Sequence, residues 1–214
     1  VQAEQGGGLS TPGPSPRNAR GLATARRLHR SAVRVATTAG LEALTVDAVC
    51  ADAGVSQRTF FHHFPTKDDA LLGLELPAIS QQRAQHYLSD PDVPILAGAV
   101  ALIDLPAGSD PATQVDQLRL LARSPQLQAR QAERFQPILG ELRVLVRLKL
   151  EASARADGRR VDTAELDEQS DLVTALGAAL VHAAARRVAE KDTPSLPDLA
   201  AVARPLLPIW DRLV

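Results

Sequence analysis

The chain of 214 residues is poor in the residues that most often announce chemistry: one cysteine, one tryptophan, one tyrosine and four phenylalanines. A lone thiol, Cys50, can close no intramolecular disulfide and supplies no thiolate cluster for a metal. Its neighbours Val49, Ala51 and Ala53 fit a small buried side chain better than a redox sensor. No apolar run approaches the ~20 residues that cross a bilayer. The opening VQAEQGGGLSTPGPSP has neither the basic start nor the apolar run of a secretory signal, so no membrane contact and a cytoplasmic location are expected. Also missing are a GxSxG elbow, a phosphate-binding P-loop, an HExxH helix and a dinucleotide fingerprint. An enzyme would have to assemble its groups from scattered positions; the expectation is no catalysis, no cofactor and no metal.

What is present is unevenly distributed. The net charge is −1, yet eight basic residues stand against three acidic ones between Arg17 and Lys67. The remainder from residue 68 onward is acidic. A basic quarter on an acidic body points to a polyanion bound at one end.

Within that quarter, TVDAVCADAGVSQRTFFHHFPTK (Thr45 to Lys67) predicts two short helices around a glycine turn. Thr45 is suited to cap the first, on which Val46, Val49 and Ala53 recur at helical spacing. Gly54 can take the left-handed conformation that ends it. Ser56 then caps the second, whose Phe60 and Phe64, four apart, point inward together. Gln57, Arg58, Thr59 and His62 are left facing outward. This is the layout of a helix-turn-helix, whose second helix enters the DNA major groove.

The rest of the chain reads as helical. A tail over residues 1–16, rich in Gly, Pro and Ser, is expected to be disordered. A first helix starts between Asn18 and Thr24 and ends at Ala39, with Leu22, Ala25, Leu28, Ala32, Val35 and Ala39 as its stripe. A fourth begins behind the cap Thr66, carries Leu71, Leu72, Leu74 and Leu76 to a break at Pro77, and resumes to Leu88. Ile95 to Leu105 predicts a short buried helix rather than a strand. Asp110-Pro111 opens a helix to Arg123. Pro125 to Ala156 forms a long helix through Pro137, stopped by Asp157-Gly158. Asp162 with Glu165 opens the next, to Glu190, with a stripe of Leu172, Leu176, Ala179, Leu180 and Ala183. Leu199 to Leu213 is expected to be a helix broken at Pro205 and Pro208.

Ala32, Gly40, Thr45-Val46, Val49, Ala53-Gly54-Val55-Ser56, Thr59-Phe60-Phe61, His63-Phe64, Lys67 and Leu71 resemble, residue by residue, the N-terminal signature of the TetR family of bacterial transcriptional regulators. The resemblance covers about a fifth of the chain, Leu28 to Leu72. It implies an all-α fold: a three-helix DNA-binding domain (17–65) with a helix-turn-helix, followed by a larger helical effector-binding and dimerisation domain (66–214). The partners it implies are a double-stranded DNA operator, a small-molecule effector and a second copy of the chain. Thr45 and Lys67 match positions that touch the DNA backbone; Gln57, Arg58, Thr59, Phe61 and His62, behind Ser56, match the recognition helix. Three departures are evident. Phe61 replaces the usual Tyr, Arg58 stands where Gly is frequent, and Ala36 replaces a core Phe. Leu118 to Arg130 with the following helix is faintly similar to regulators of acyl-CoA-like ligands, including those associated with mycofactocin genes.

Other candidates carry blander readings. His62 and His63 project about 100° apart on a helix, with no cysteine or carboxylate to complete a metal site. Arg130 with Arg134 and Arg143 with Arg147 read as solvated i,i+4 pairs, or as the entrance for an anionic effector. His86, Tyr87, Phe135, His182 and Trp210 default to core. A repressor released by its effector is the leading reading. An activator, an effector-independent regulator, an all-α enzyme and a protein-interaction adaptor are the rivals.

Overall fold

The computed structural model describes residues 16–104, 110–160 and 162–190. The tail expected before residue 16 and the broken helix expected over Leu199–Leu213, with Trp210, lie outside the described residues. The protein is all-α. Helix α1 (Pro16–Ala39) begins slightly earlier than expected, with a proline in the first turn, where its missing N–H costs nothing. A 3-10 turn (Leu41–Ala43) leads to α2 (Val46–Ala53), α3 (Gln57–His63) and α4 (Lys67–Leu72). Then follow β1 (Ala78–Ile79), α5 (Gln81–Ser89), α6 (Ile95–Ala101), β2 (Ile103–Asp104), α7 (Pro111–Arg123), α8 (Pro125–Ala156) and α9 (Thr163–Glu190).

Two apolar clusters organise these elements. The first joins Leu28, Ala32 and Ala36 of α1, Val49 of α2, Phe60 of α3 with Phe64 behind it, and Ala70 and Leu71 of α4. Leu120 and Leu127, from α7 and α8, close it from the other side. Ala36, standing in for a larger core residue, is buried there without a void-filling ring. The second cluster packs Tyr87, Ala99 and Leu102 against Leu142 and Val146 of α8. Lys149, only 3 % exposed, belongs beside it: its ammonium donates to Asp90 O and lies 5.5 Å from the Tyr87 ring centre.

Several expectations need correction. Helix α4 ends at Gly73, not at Pro77. Gly73 has φ 78° and donates its N–H to Asp69 O, a conformation that costs glycine little. Leu74 and Leu76 are therefore exposed rather than helical contacts. The chain from there to Ser80 is extended, and β1 pairs antiparallel with β2, Ala78 opposite Asp104 and Ile79 opposite Ile103. The segment expected to be one helix to Leu105 thus ends in a strand. On α9 the stripe is inverted: Leu166, Ser170, Thr174, Leu180 and Ala184 are buried. Of the expected set, only Leu180 is among them, whereas Leu172 is 58 % exposed and Leu176 39 %. Small residues allow this, since a Cβ at Gly177 would lie 3.4 Å from Val100.

Of the arginine pairs expected as a solvated face, Arg143 is exposed, while Arg130, Arg134 and Arg147 are half-buried. Arg130 forms a two-pronged ion pair with Asp69, at 3.0 and 2.9 Å, and Arg134 donates to Gly73 O. Arg147 bonds Asp167 at 2.8 Å and Arg143 pairs with Asp171, tying α8 to α9. Nor is His86 core: it is exposed, as is His182.

Helix α4 is the meeting point of all this. His29, buried on α1, has its Nδ1 2.9 Å from Ala70 O; Gln117 of α7 donates to Leu72 O at 2.9 Å. Burial lowers the His29 pKa below 6.5, and the positive charge of Arg134 adds to that, against Ala70 O and Glu75, which raise it. A depressed histidine is neutral in the folded and unfolded chain alike at higher pH, where its contribution to stability is intact. As pH falls below about 6.5 the unfolded chain takes up the proton first, and stability is lost. Urea unfolding across pH 7.5 to 5 should therefore show a fall in stability that His29→Asn reduces.

Gly98 permits the second cluster. A Cβ there would stand 2.6 Å from both Tyr87 Cδ2 and Val93 Cγ1. Gly98→Ala is expected to cost about 1–3 kcal/mol, seen as a lower melting temperature.

Candidate nucleic-acid interface

Local chemistry sets the shape of the helix-turn-helix. Thr45 caps α2 by accepting from Ala48 N at 3.1 Å. Gly54 ends it in the left-handed region, φ 63°. Ser56 caps α3 by accepting from Thr59 N at 3.2 Å, and its hydroxyl lies 3.0 Å from that of Thr59. Phe60 and Phe64 are fully buried, with ring centres 6.1 Å apart. The inward pair leaves the opposite side of α3 in solvent.

On that side stand Gln57, Arg58, Phe61 and His62, all exposed. Gln57 donates to the Asp47 carboxylate on α2, which fixes its side chain. Arg58 makes no hydrogen bond or ion pair with any described residue, so its guanidinium is available. Phe61 is 54 % exposed, held edge-on against Phe60 with ring centres 5.4 Å apart. His62 lies 5.0 Å from His63. The inner ring, His63, has its pKa lowered by burial and then by His62. At the end of the motif Lys67 donates to Leu44 O at 2.8 Å. That bond brings its ammonium back beside Thr45 and leaves two N–H groups over.

Basic charge on α1 is partly spent within the protein. Arg34 pairs with Asp52, holding that carboxyl below its ordinary range, and Arg26 pairs with Glu75 at 2.7 Å. Arg20, Arg27 and Arg30 have no such partner among the described residues. Cys50 is buried under the motif and burial pushes its thiol pKa up, which keeps it an unreactive thiol. Among the described residues no group of histidine, cysteine and carboxylate could hold a metal, and no helix is long and apolar enough to cross a membrane.

Residues 23–73 match the family described as bacterial regulatory proteins, tetR family. The N-terminal domain is that of a TetR-family, DNA-binding transcriptional regulator. Its matched span runs from α1 to Gly73, the residue that ends α4, so the TetR-family domain takes in all of the first cluster except the two leucines from α7 and α8. No curated protein matches the chain.

Outside the motif, sequence reasoning missed His29 and the Asp69–Arg130 pair. A signal for His29 existed: Ala25, His29, Ala32 and Ala36 step by four, three and four along α1, the rhythm of a buried face. Nothing local announces Asp69–Arg130, whose partners are 61 positions apart.

Proposed function

We propose that the protein is a repressor that binds a palindromic operator as a homodimer and is released by a small-molecule effector. The exposed side of α3 carries this reading: an unpaired Arg58 at the start of a helix whose other side is locked into the core. Arg58 reads a guanine edge through two hydrogen bonds. Gln57, Thr59, Phe61 and His62 line the same groove, with Phe61 offering hydrocarbon to a thymine methyl where a hydroxyl would have reached phosphate. Ser56, Thr45 and Lys67 serve the DNA backbone, Lys67 with the N–H groups that Leu44 leaves over.

A second copy joins through α8 and α9. Val144 and Leu148 on α8, with Leu172 and Leu176 on α9, are large exposed apolar side chains, and such a patch on paired helices favours association. Two recognition helices then enter successive major grooves about 34–36 Å apart. Residues 17–65 form the DNA-binding part in this reading, and 66–214 carry the effector and dimer functions. The effector site is a cavity of about 830 Å³ bordered by α1, α7, α8, α9 and the end of α4. Release follows from a higher affinity of the effector for the conformation whose two helices are wrongly spaced.

The test is salt-dependent binding to a duplex from the region upstream of the gene. Arg58→Ala should lose about 1–3 kcal/mol of discrimination against substituted operator bases, while Arg155→Ala, on the far end of α8, leaves binding unchanged. An unaltered sequence preference in Arg58→Ala would sink the base-reading role. Leu172→Glu combined with Leu176→Glu should give a monomer in analytical ultracentrifugation, with weakened binding to the full palindrome.

A further inference from the structure

The cavity's wall is mostly hydrocarbon: Leu22 of α1, Leu72 of α4, Leu118 and Leu121 of α7, and Phe135 and Leu139 of α8. Among its polar groups one histidine stands out. His29 lines the wall, and its Nδ1 faces Ala70 O, which can only accept. The neutral ring therefore carries its proton on Nδ1, and Nε2 is a bare acceptor. The depressed pKa of His29 keeps the ring in that neutral form at ordinary pH. Buried acceptors without donors are costly. Charge in the wall is largely compensated: Arg26 pairs with Glu75 at 2.7 Å and Arg186 with Glu190 at 3.5 Å. Arg187, the remaining charged side chain of the wall, is exposed on the last turn of α9.

We infer that the cavity takes an uncharged, mainly hydrocarbon molecule bearing a hydroxyl, which donates to His29 Nε2 while the hydrocarbon lies along α7 and α8. The inference rests on the effector reading above and narrows it, away from phosphate-bearing thioesters and toward alcohols and phenols. Because His29 and Leu22 belong to α1, the ligand rests directly on the DNA-binding domain. Its hydroxyl meets the same imidazole that holds Ala70 O, so occupancy is felt at the α1–α4 junction.

Three probes of one chain length separate the possibilities: 1-decanol, decyl methyl ether and decanoate, titrated calorimetrically into the full-length protein without DNA. Decanol should bind tighter than the ether by about fivefold to tenfold, the worth of one net hydrogen bond, and decanoate weaker than both. His29→Asn, which keeps an amide donor for Ala70 O, should shrink the decanol preference without loss of ether binding. Decanoate binding tightest, equal binding of decanol and ether, or no binding of any probe would each overturn the inference. Operator release is scored separately, by anisotropy of a labelled upstream duplex. Decanol that binds as expected but leaves the duplex bound upholds the ligand class and removes the release reading instead.

Discussion

A six-residue helix cannot satisfy its own last carbonyls, and the way α4 solves this problem joins the two halves of the molecule. Ala70 O faces a histidine from α1, Leu72 O a glutamine from α7 and Gly73 O an arginine from α8. The Asp69 carboxylate adds a two-pronged contact to Arg130 and accepts from the Thr66 hydroxyl at 2.7 Å. Helices α1, α7 and α8, which all border the cavity, thus reach the same short helix. Were α4 longer, these carbonyls would be consumed internally and the three bonds to them would be lost.

The recognition helix is organised by the same economy of polar groups. Ser56, Thr59 and Gln57 spend their side chains on caps and on Asp47, and Lys67 spends part of its ammonium on Leu44. These bonds hold α3 at a set angle to α2 before DNA arrives, so less ordering is needed on binding. Arg58, Phe61 and His62 are the side chains left uncommitted. They occupy one exposed strip, whose chemistry is one fork of donors, one hydrocarbon face and one imidazole.

Much of the fold could be read from local signals. Caps at Thr45, Ser56, Thr66 and Asp110 each accept a backbone N–H, and these residues state their role within four positions of sequence. The inward pair Phe60–Phe64 was equally plain. The failures have one cause in common, which is that the deciding partner lies far away in the chain. Gly73 ends α4 because distant side chains reward its carbonyls, whereas Pro77 advertised a break more loudly. On α9 Leu172 and Leu176 drew attention to the wrong side: the face packed within the chain uses Ser170, Thr174 and Gly177, small groups that admit a neighbouring helix, together with Leu166 and Leu180. Gln57, Arg58 and His62 of α3 were legible as outward-facing, but the bonds of Gln57 to Asp47 and of Lys67 to Leu44 needed the three-dimensional arrangement.

The ion pairs Arg26–Glu75 and Arg34–Asp52 bear on ionic strength. Counterions leave a duplex in proportion to the phosphates that a protein neutralises, and a guanidinium already matched to a carboxylate releases few of them. Of the eight basic residues between Arg17 and Lys67, these two bring little to that exchange. The salt dependence of nucleic-acid binding is thus expected to be shallower than the basic count alone implies.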